Sequence, residues 1–143
     1  MVDLSGVWEL DAEESRFGFL PPPLLRRDTV EQSGSEIRIV SRQIDDNGDN
    51  TVERRMVIGG PSVEIEVLGR PRQLSARWDG VELVVETRFH VSGKPRLIED
   101  RWRLQPDGTV AISRRVEQTG GAVRQRLLLR PVSPDSRPGH LVE

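Results

Sequence analysis

Residues 81–91, Val-Glu-Leu-Val-Val-Glu-Thr-Arg-Phe-His-Val, carry the reading that decides the fold class. Val81, Leu83, Val85, Thr87, Phe89 and Val91 alternate with Glu82, Val84, Glu86, Arg88 and His90. A period of two sends successive side chains to opposite faces, which is the pattern of a half-buried strand. Working outward, residues 62–68 repeat it, with Val63, Ile65 and Val67 set against Glu64 and Glu66. Similar segments occupy 7–10, 25–32, 36–44, 51–58, 73–78, 96–104, 109–117 and 122–130. They make ten candidate strands, and no interval between them holds a ten-residue helix.

Ser33-Gly34, Asn47-Gly48, Asp79-Gly80, Asp107-Gly108 and Gly120-Gly121 lie between the runs and are hairpin-turn dipeptides. Short turns make sequence neighbours spatial neighbours, so the expected topology is an antiparallel meander. A meander this long buries one apolar face per strand by rolling up, and closure also removes the edges. The expected fold is therefore all-β, an up-and-down barrel of about 8–10 strands, a number that follows from the segments above. One barrel domain is expected over residues 1–132, with an extended, proline-broken tail over 133–143. Residues 11–24 carry Phe17, Phe19 and Pro21-Pro22-Pro23 and read as a packed loop across one barrel end.

Composition excludes several function classes. Among 143 residues there is no cysteine, hence no disulfide scaffold, thiolate metal site or cysteine nucleophile. The net charge is -2, from 21 basic and 23 acidic residues spread along the chain, which is not the footprint of a nucleic-acid binder. Apolar runs such as Leu127-Leu128-Leu129 are far too short for a membrane span. No leader pattern opens the chain, and the compartment stays open between the cytoplasm and an exported mature form. His90 and His140 give no metal spacing, and no cofactor is expected. Residues 45–50 are rich in Asp and Asn but lack the closing glutamate of a calcium loop, so they read as a solvated hairpin loop.

Turn chemistry sets register, and register decides which polar groups point inward. A Pro106-Asp107-Gly108 loop pairs Gln105 with Thr109, and so Trp102 with Ile112, Asp100 with Arg114 and Ile98 with Val116. Placing Gly120-Gly121, Asp79-Gly80 and Ser33-Gly34 at the centres of two-residue turns sets Arg114 against Leu127, Ala76 against Leu83 and Asp28 against Ile39. The inner surface is then apolar with polar points at Asp28, Arg54, Thr87, Asp100, Arg114 and Gln125.

Gly6-Val7-Trp8 opens the first strand and resembles the Gly-x-Trp signature of the lipocalins and their calycin relatives. The resemblance implies that Trp8 plugs the closed barrel end while an arginine of the last strand stacks across it. Arg130, beside Pro131, is the best-placed candidate, ahead of Arg126 and Arg124. The chain lacks the helix that lipocalins carry near their last strand, so it resembles a small lipocalin-like barrel rather than a full lipocalin. The scaffold so implied binds; it does not dictate a reaction.

Three functions remain open. The first is a carrier or sensor of a small hydrophobic or aromatic molecule, held by Trp78, Leu83, Phe89, Trp102, Met56, Thr87 and Gln125. The second is a cofactor-independent cyclase, isomerase or lyase, with Asp100 as acid or base and Arg114 stabilising negative charge. The third is an interaction module whose barrel is filled with side chains. The oligomeric state stays open, with a homodimer through strand faces or the tail as one candidate, because symmetric pairs are the commonest assembly.

Overall fold

The structure, a computed structural model, describes residues 2–135. His140 and most of the expected tail lie outside the described residues. Ten strands follow one another: β1 (Gly6–Leu10), β2 (Leu25–Ser33), β3 (Glu36–Asp45), β4 (Gly48–Val57), β5 (Val63–Val67), β6 (Arg70–Asp79), β7 (Glu82–Val91), β8 (Lys94–Leu104), β9 (Val110–Gln118) and β10 (Gly121–Pro131). Every ladder is antiparallel, in the order β4-β3-β2-β1-β10-β9-β8-β7-β6-β5. The expected meander barrel is the fold observed.

The barrel is nearly closed. β1 pairs with β10, with Trp8 opposite Pro131. β4 and β5 share no ladder among the described residues, which leaves a seam pinned at one end by the bridge between Ile58 and Ala76.

Three hairpins differ from the expected register, each by two residues. Val30 faces Ile39, Trp78 faces Leu83, and Val116 faces Val123. The turns are centred on Gly34-Ser35, Gly80-Val81 and Thr119-Gly120 rather than on the dipeptides expected. The cause is the turn type. Gly34 and Gly80 take φ of +61° and +62° while the residue after each stays at negative φ, which puts glycine first in a II′ turn instead of second in a I′ turn. A slip of two preserves the face of every side chain, so the inside and outside assignments survive.

The inward faces are graded along the barrel axis. At the end that carries Leu4 and the β2–β3, β6–β7 and β8–β9 turns, the interior is solid. Trp8, Val30, Ile39, Met56, Leu74, Leu83, Trp102, Ile112 and Leu127 form one buried cluster there. Towards the other end the same strands turn polar, as in β3, where Ile37 and Ile39 give way to Ser41, Gln43 and Asp45.

Gly6-Val7-Trp8 has a physical account here. Gly6 has φ +146°, a value L residues rarely adopt, and the Trp8 indole lies 3.6 Å from where its Cβ would stand. The indole Nε1 donates to the Leu4 carbonyl at 2.9 Å, which satisfies its only polar atom within the closed end. Arg130 does not stack across it. Arg130 pairs with Glu9, so alternation puts it on the face opposite Trp8, and its Nε donates to Asp11 at 2.6 Å.

The segment between β1 and β2 hugs β10 before crossing to β3. Arg16 and Arg126 exchange backbone hydrogen bonds of 2.7 and 2.8 Å, and Leu24 N donates to the Ile44 carbonyl at 2.8 Å. Phe17 packs against the core, while Phe19 is exposed.

Candidate functional site

A cavity of about 360 Å³ occupies the polar half of the barrel and reaches the β3–β4 and β5–β6 turns. Its apolar walls include Val52, Ile65, Leu74 and Ile98. Four arginines line it: Arg26 from β2, Arg54 from β4, Arg72 from β6 and Arg114 from β9.

Two of these arginines are neutralised by buried aspartates in two-pronged geometry. Arg26 donates through Nε and Nη2 to the two oxygens of Asp28 at 3.2 and 2.8 Å, and both residues are buried. Arg114 donates through Nε and Nη2 to the two oxygens of Asp100 at 2.8 and 2.9 Å. Burial alone would push each carboxyl up. The facing guanidinium outweighs it, with more distant arginines adding, and both carboxyls end below the ordinary range. Asp28 and Asp100 are therefore firmly ionised at neutral pH.

Among the described residues, the other two arginines have no carboxylate partner. Arg54 donates to the Ser41 hydroxyl at 3.1 Å and forms no ion pair. Burial depresses its pKa, and the attraction of Asp28 and Asp100 is offset in part by Arg26 and Arg114. Arg72 lies 4.4 Å above the Phe89 ring centroid, and its Nε is buried without an acceptor. Burial, with repulsion from Arg114, lowers its pKa as well.

Three more carboxylates border the cavity nearer its rim. Asp45 accepts from Gln43 and from the Asn47 backbone, Glu53 is drawn down to about 2 by hydrogen bonds from Arg38 and Arg55, and Glu66 is solvent-exposed. Of the four arginines only Arg26 is buried, beside the buried carboxylates Asp28 and Asp100, while Arg54, Arg72 and Arg114 are partly exposed.

Of the residues expected to grip a ligand, Thr87, Asp100 and Arg114 line this cavity. Leu83, Trp102 and Met56 are instead buried in the apolar half, Trp78 packs against that cluster, and Phe89 lies beneath Arg72. Gln125 holds the Phe17 carbonyl at 3.1 Å. The tryptophans fill the barrel rather than wall a pocket, because the apolar side chains are concentrated at one end. Arg26 and Arg72 escaped the sequence reading although a signal existed. Arg26 stands two residues before Asp28, and Arg72 two before Leu74, on the same inward faces. Among the described residues no cluster of metal-ligating side chains occurs, and no helix is long and apolar enough to cross a membrane.

No protein-family model and no curated sequence matches the chain. Solved structures do. A secretory abundant heat soluble protein from Ramazzottius varieornatus aligns with TM-score 0.68 at 11% identity, over 90% of this chain and 95% of that one. Fatty-acid-binding protein 1 of Echinococcus granulosus aligns with TM-score 0.65 at 11% identity, over 91% and 98%. The zebrafish ileal bile acid-binding protein, complexed with cholic acid, aligns with TM-score 0.62 at 12% identity, over 90% and 98%. The likeness shows the fold, an antiparallel β-barrel of the kind that the Gly-x-Trp resemblance implied.

Proposed function

We propose that the protein is a carrier or sensor that binds a small amphipathic molecule, apolar in its body and anionic at one end, in the open half of the barrel. The observation that carries this reading is the pair of partly buried arginines, Arg54 and Arg72, that line a cavity of about 360 Å³ with no carboxylate of their own among the described residues. A cation drawn partly out of water without a counter-charge of its own loses hydration, and a bound anion offsets that loss. Structural neighbours named for fatty acids and a bile acid support a small hydrophobic ligand.

The two other readings draw less support. Both oxygens of Asp100 are engaged by Arg114 and its carboxyl is held low, which suits a structural anion better than a proton shuttle. An interaction module with a filled interior sits poorly with the cavity.

The test is a fluorescence titration with 1-anilinonaphthalene-8-sulfonate, an anionic apolar dye, beside the neutral N-phenyl-1-naphthylamine. Saturable binding of the anionic dye, weakened in Arg54→Gln, is the expected result. Failure of both dyes to bind the native protein overturns the reading. Light scattering on the same sample decides between a monomer and a homodimer.

A further inference from the structure

The rim at the open end of the barrel carries an alternation of its own. The β5–β6 ladder sets Val67 against Arg70 and Ile65 against Arg72, and the β7–β8 ladder sets Val91 against Lys94 and Phe89 against Arg96. The β6–β7 register, which pairs Gln73 with Arg88, brings the two hairpins to the same height, with Arg72 4.4 Å above the Phe89 ring centroid. Two rows therefore cross four strands, each reading apolar, cation, apolar, cation, with strands about 4.8 Å apart. Residues 65–72 and 89–96 hold Arg70, Arg72, Lys94 and Arg96 against Glu66 alone. Among the described residues none of these four cations forms an ion pair, and Arg96 reaches the Thr119 hydroxyl at 2.6 Å instead.

The two turn tips share a conformation. Among the described residues Leu68 and Ser92 are the only non-glycine residues at positive φ, +52° each, and each precedes a glycine at positive φ. A two-residue turn with both φ positive favours Asn-Gly, so a leucine there is strained, and Leu68 is 67% exposed. Val91, at the neighbouring tip, is exposed as well. The lip across the seam is opposite in sign. Residues 43–50 carry Asp45, Asp46 and Asp49 and no cation, although Asp49 is bound by Arg42.

We infer that the β5–β6 and β7–β8 tips form a docking surface for a lipid bilayer with anionic headgroups. Charge complementarity carries the assignment, and the exposed apolar tips choose the bilayer over a soluble acidic partner. Leu68 and Val91 enter the interfacial layer, while Arg70 and Lys94, exposed beside them, meet the headgroups. Arg72 and Arg96 stand one row lower, about 7 Å along the strands, and still feel the surface within a Debye length. A soluble acidic polymer uses the same cations but gives no role to a strained, exposed leucine. The acidic β3–β4 lip is repelled by the same headgroups, so the barrel leans onto its β5–β8 side. The cavity mouth, which lies between the β3–β4 and β5–β6 turns, then opens beside the bilayer. Docking needs no small ligand, so this inference and the proposed function fail separately.

Vesicle flotation of the full chain, with no small ligand added, tests this. Phosphatidylcholine vesicles containing about 30 mol% phosphatidylglycerol are compared with phosphatidylcholine alone. The anionic vesicles are expected to bind at least about ten-fold more tightly, a preference that about 0.5 M salt removes. Arg70→Gln combined with Lys94→Gln is expected to weaken that binding on the order of 25-fold, at about five-fold per basic residue. Arg103→Gln, near the opposite end of β8, is expected to leave it unchanged. Leu68→Asn is expected to weaken binding several-fold while holding or raising the Tm, a combination that a purely structural role for Leu68 does not give. Each variant is first shown to keep the β-sheet circular dichroism of the parent. Equal binding to both vesicle types, no binding to either, or an unaffected double variant overturns the inference and leaves the small-ligand reading standing. Heparin bound as tightly as the anionic vesicles, with Leu68→Asn without effect on either, overturns it in favour of a soluble acidic partner.

Discussion

Replacing Asp100 by Asn separates the fold from the site, because it moves the two in opposite directions. The Asp100 side chain is 3% exposed and that of Arg114 is 22%, so the pair is dry on the carboxylate side and partly wet on the other. Breaking a buried ion pair by removing one partner costs about 3–5 kcal/mol. Partial hydration of Arg114 places this case at the low end, about 3 kcal/mol. At roughly 2.1 cal/mol/K of unfolding entropy per residue, a 143-residue chain loses about 10 °C in Tm for that change. Urea and thermal melts read by tryptophan fluorescence measure it, since Trp102 is fully buried beside β9, with Ile112 as its cross-strand partner. The same substitution strips one of the two carboxylates that compete with an incoming anion, so affinity for octyl sulfate is expected to rise severalfold. Adding Arg114→Gln removes the stranded cation and recovers part of the lost stability. A Tm within about 2 °C of the parent, or weaker binding of octyl sulfate, refutes this account of the pair.

Other outcomes follow from single features. Asp28 and Asp100 have carboxyls held below the ordinary range, so their contribution is present above the unfolded-state pKa of about 3.9 and is lost as pH falls through the folded values; Tm followed by circular dichroism is expected to be flat from pH 8 to about 5 and to drop below about 4. Trp8→Phe removes the indole hydrogen bond to Leu4 and leaves that buried carbonyl without its donor, a loss of about 1–3 kcal/mol in urea unfolding. Arg130→Ala touches an exposed ion pair to Asp11 rather than a barrel plug, and is expected to leave the urea midpoint close to that of the parent; a large downward shift contradicts this assignment.

The fold was legible because every strand carries its inward face in alternation and every turn carries a glycine or a polar pair. What alternation cannot convey is height along the barrel axis. Trp102 and Asp100 stand two residues apart on the same inward face, yet one fills the core and the other borders the cavity. That difference arises only when ten strands are aligned side by side and their apolar ends coincide. The Asp100–Arg114 pair was legible because a three-residue turn at Pro106 fixes its hairpin register uniquely. Arg26 and Arg72 were legible in principle from alternation, but a charged residue is ordinarily assigned outward unless a partner argues otherwise. The two-residue slips at Gly34 and Gly80 had a different origin, since a Ser-Gly or Asp-Gly pair does not reveal whether glycine takes the first or second turn position.

The seam between β4 and β5 has a consequence for how the chain reaches this shape. Among the described residues it is the one junction where consecutive strands fail to pair, while the ring is completed between β1 and β10. Closure therefore waits for β10, and the contact that achieves it spans nearly the whole sequence, the kind that slows folding most. The backbone bond from Val132 N to the Val7 carbonyl, 2.9 Å, shows how near the two ends of that contact already lie. A circular permutant cut within residues 58–62, with β10 joined to β1 by a short linker, turns every ladder into a hairpin between sequence neighbours. It keeps the same seam, now between its own first and last strands. Stopped-flow refolding is expected to be faster for that permutant than for the parent at similar stability, and equal rates would mean that joining β1 to β10 is not the slow step.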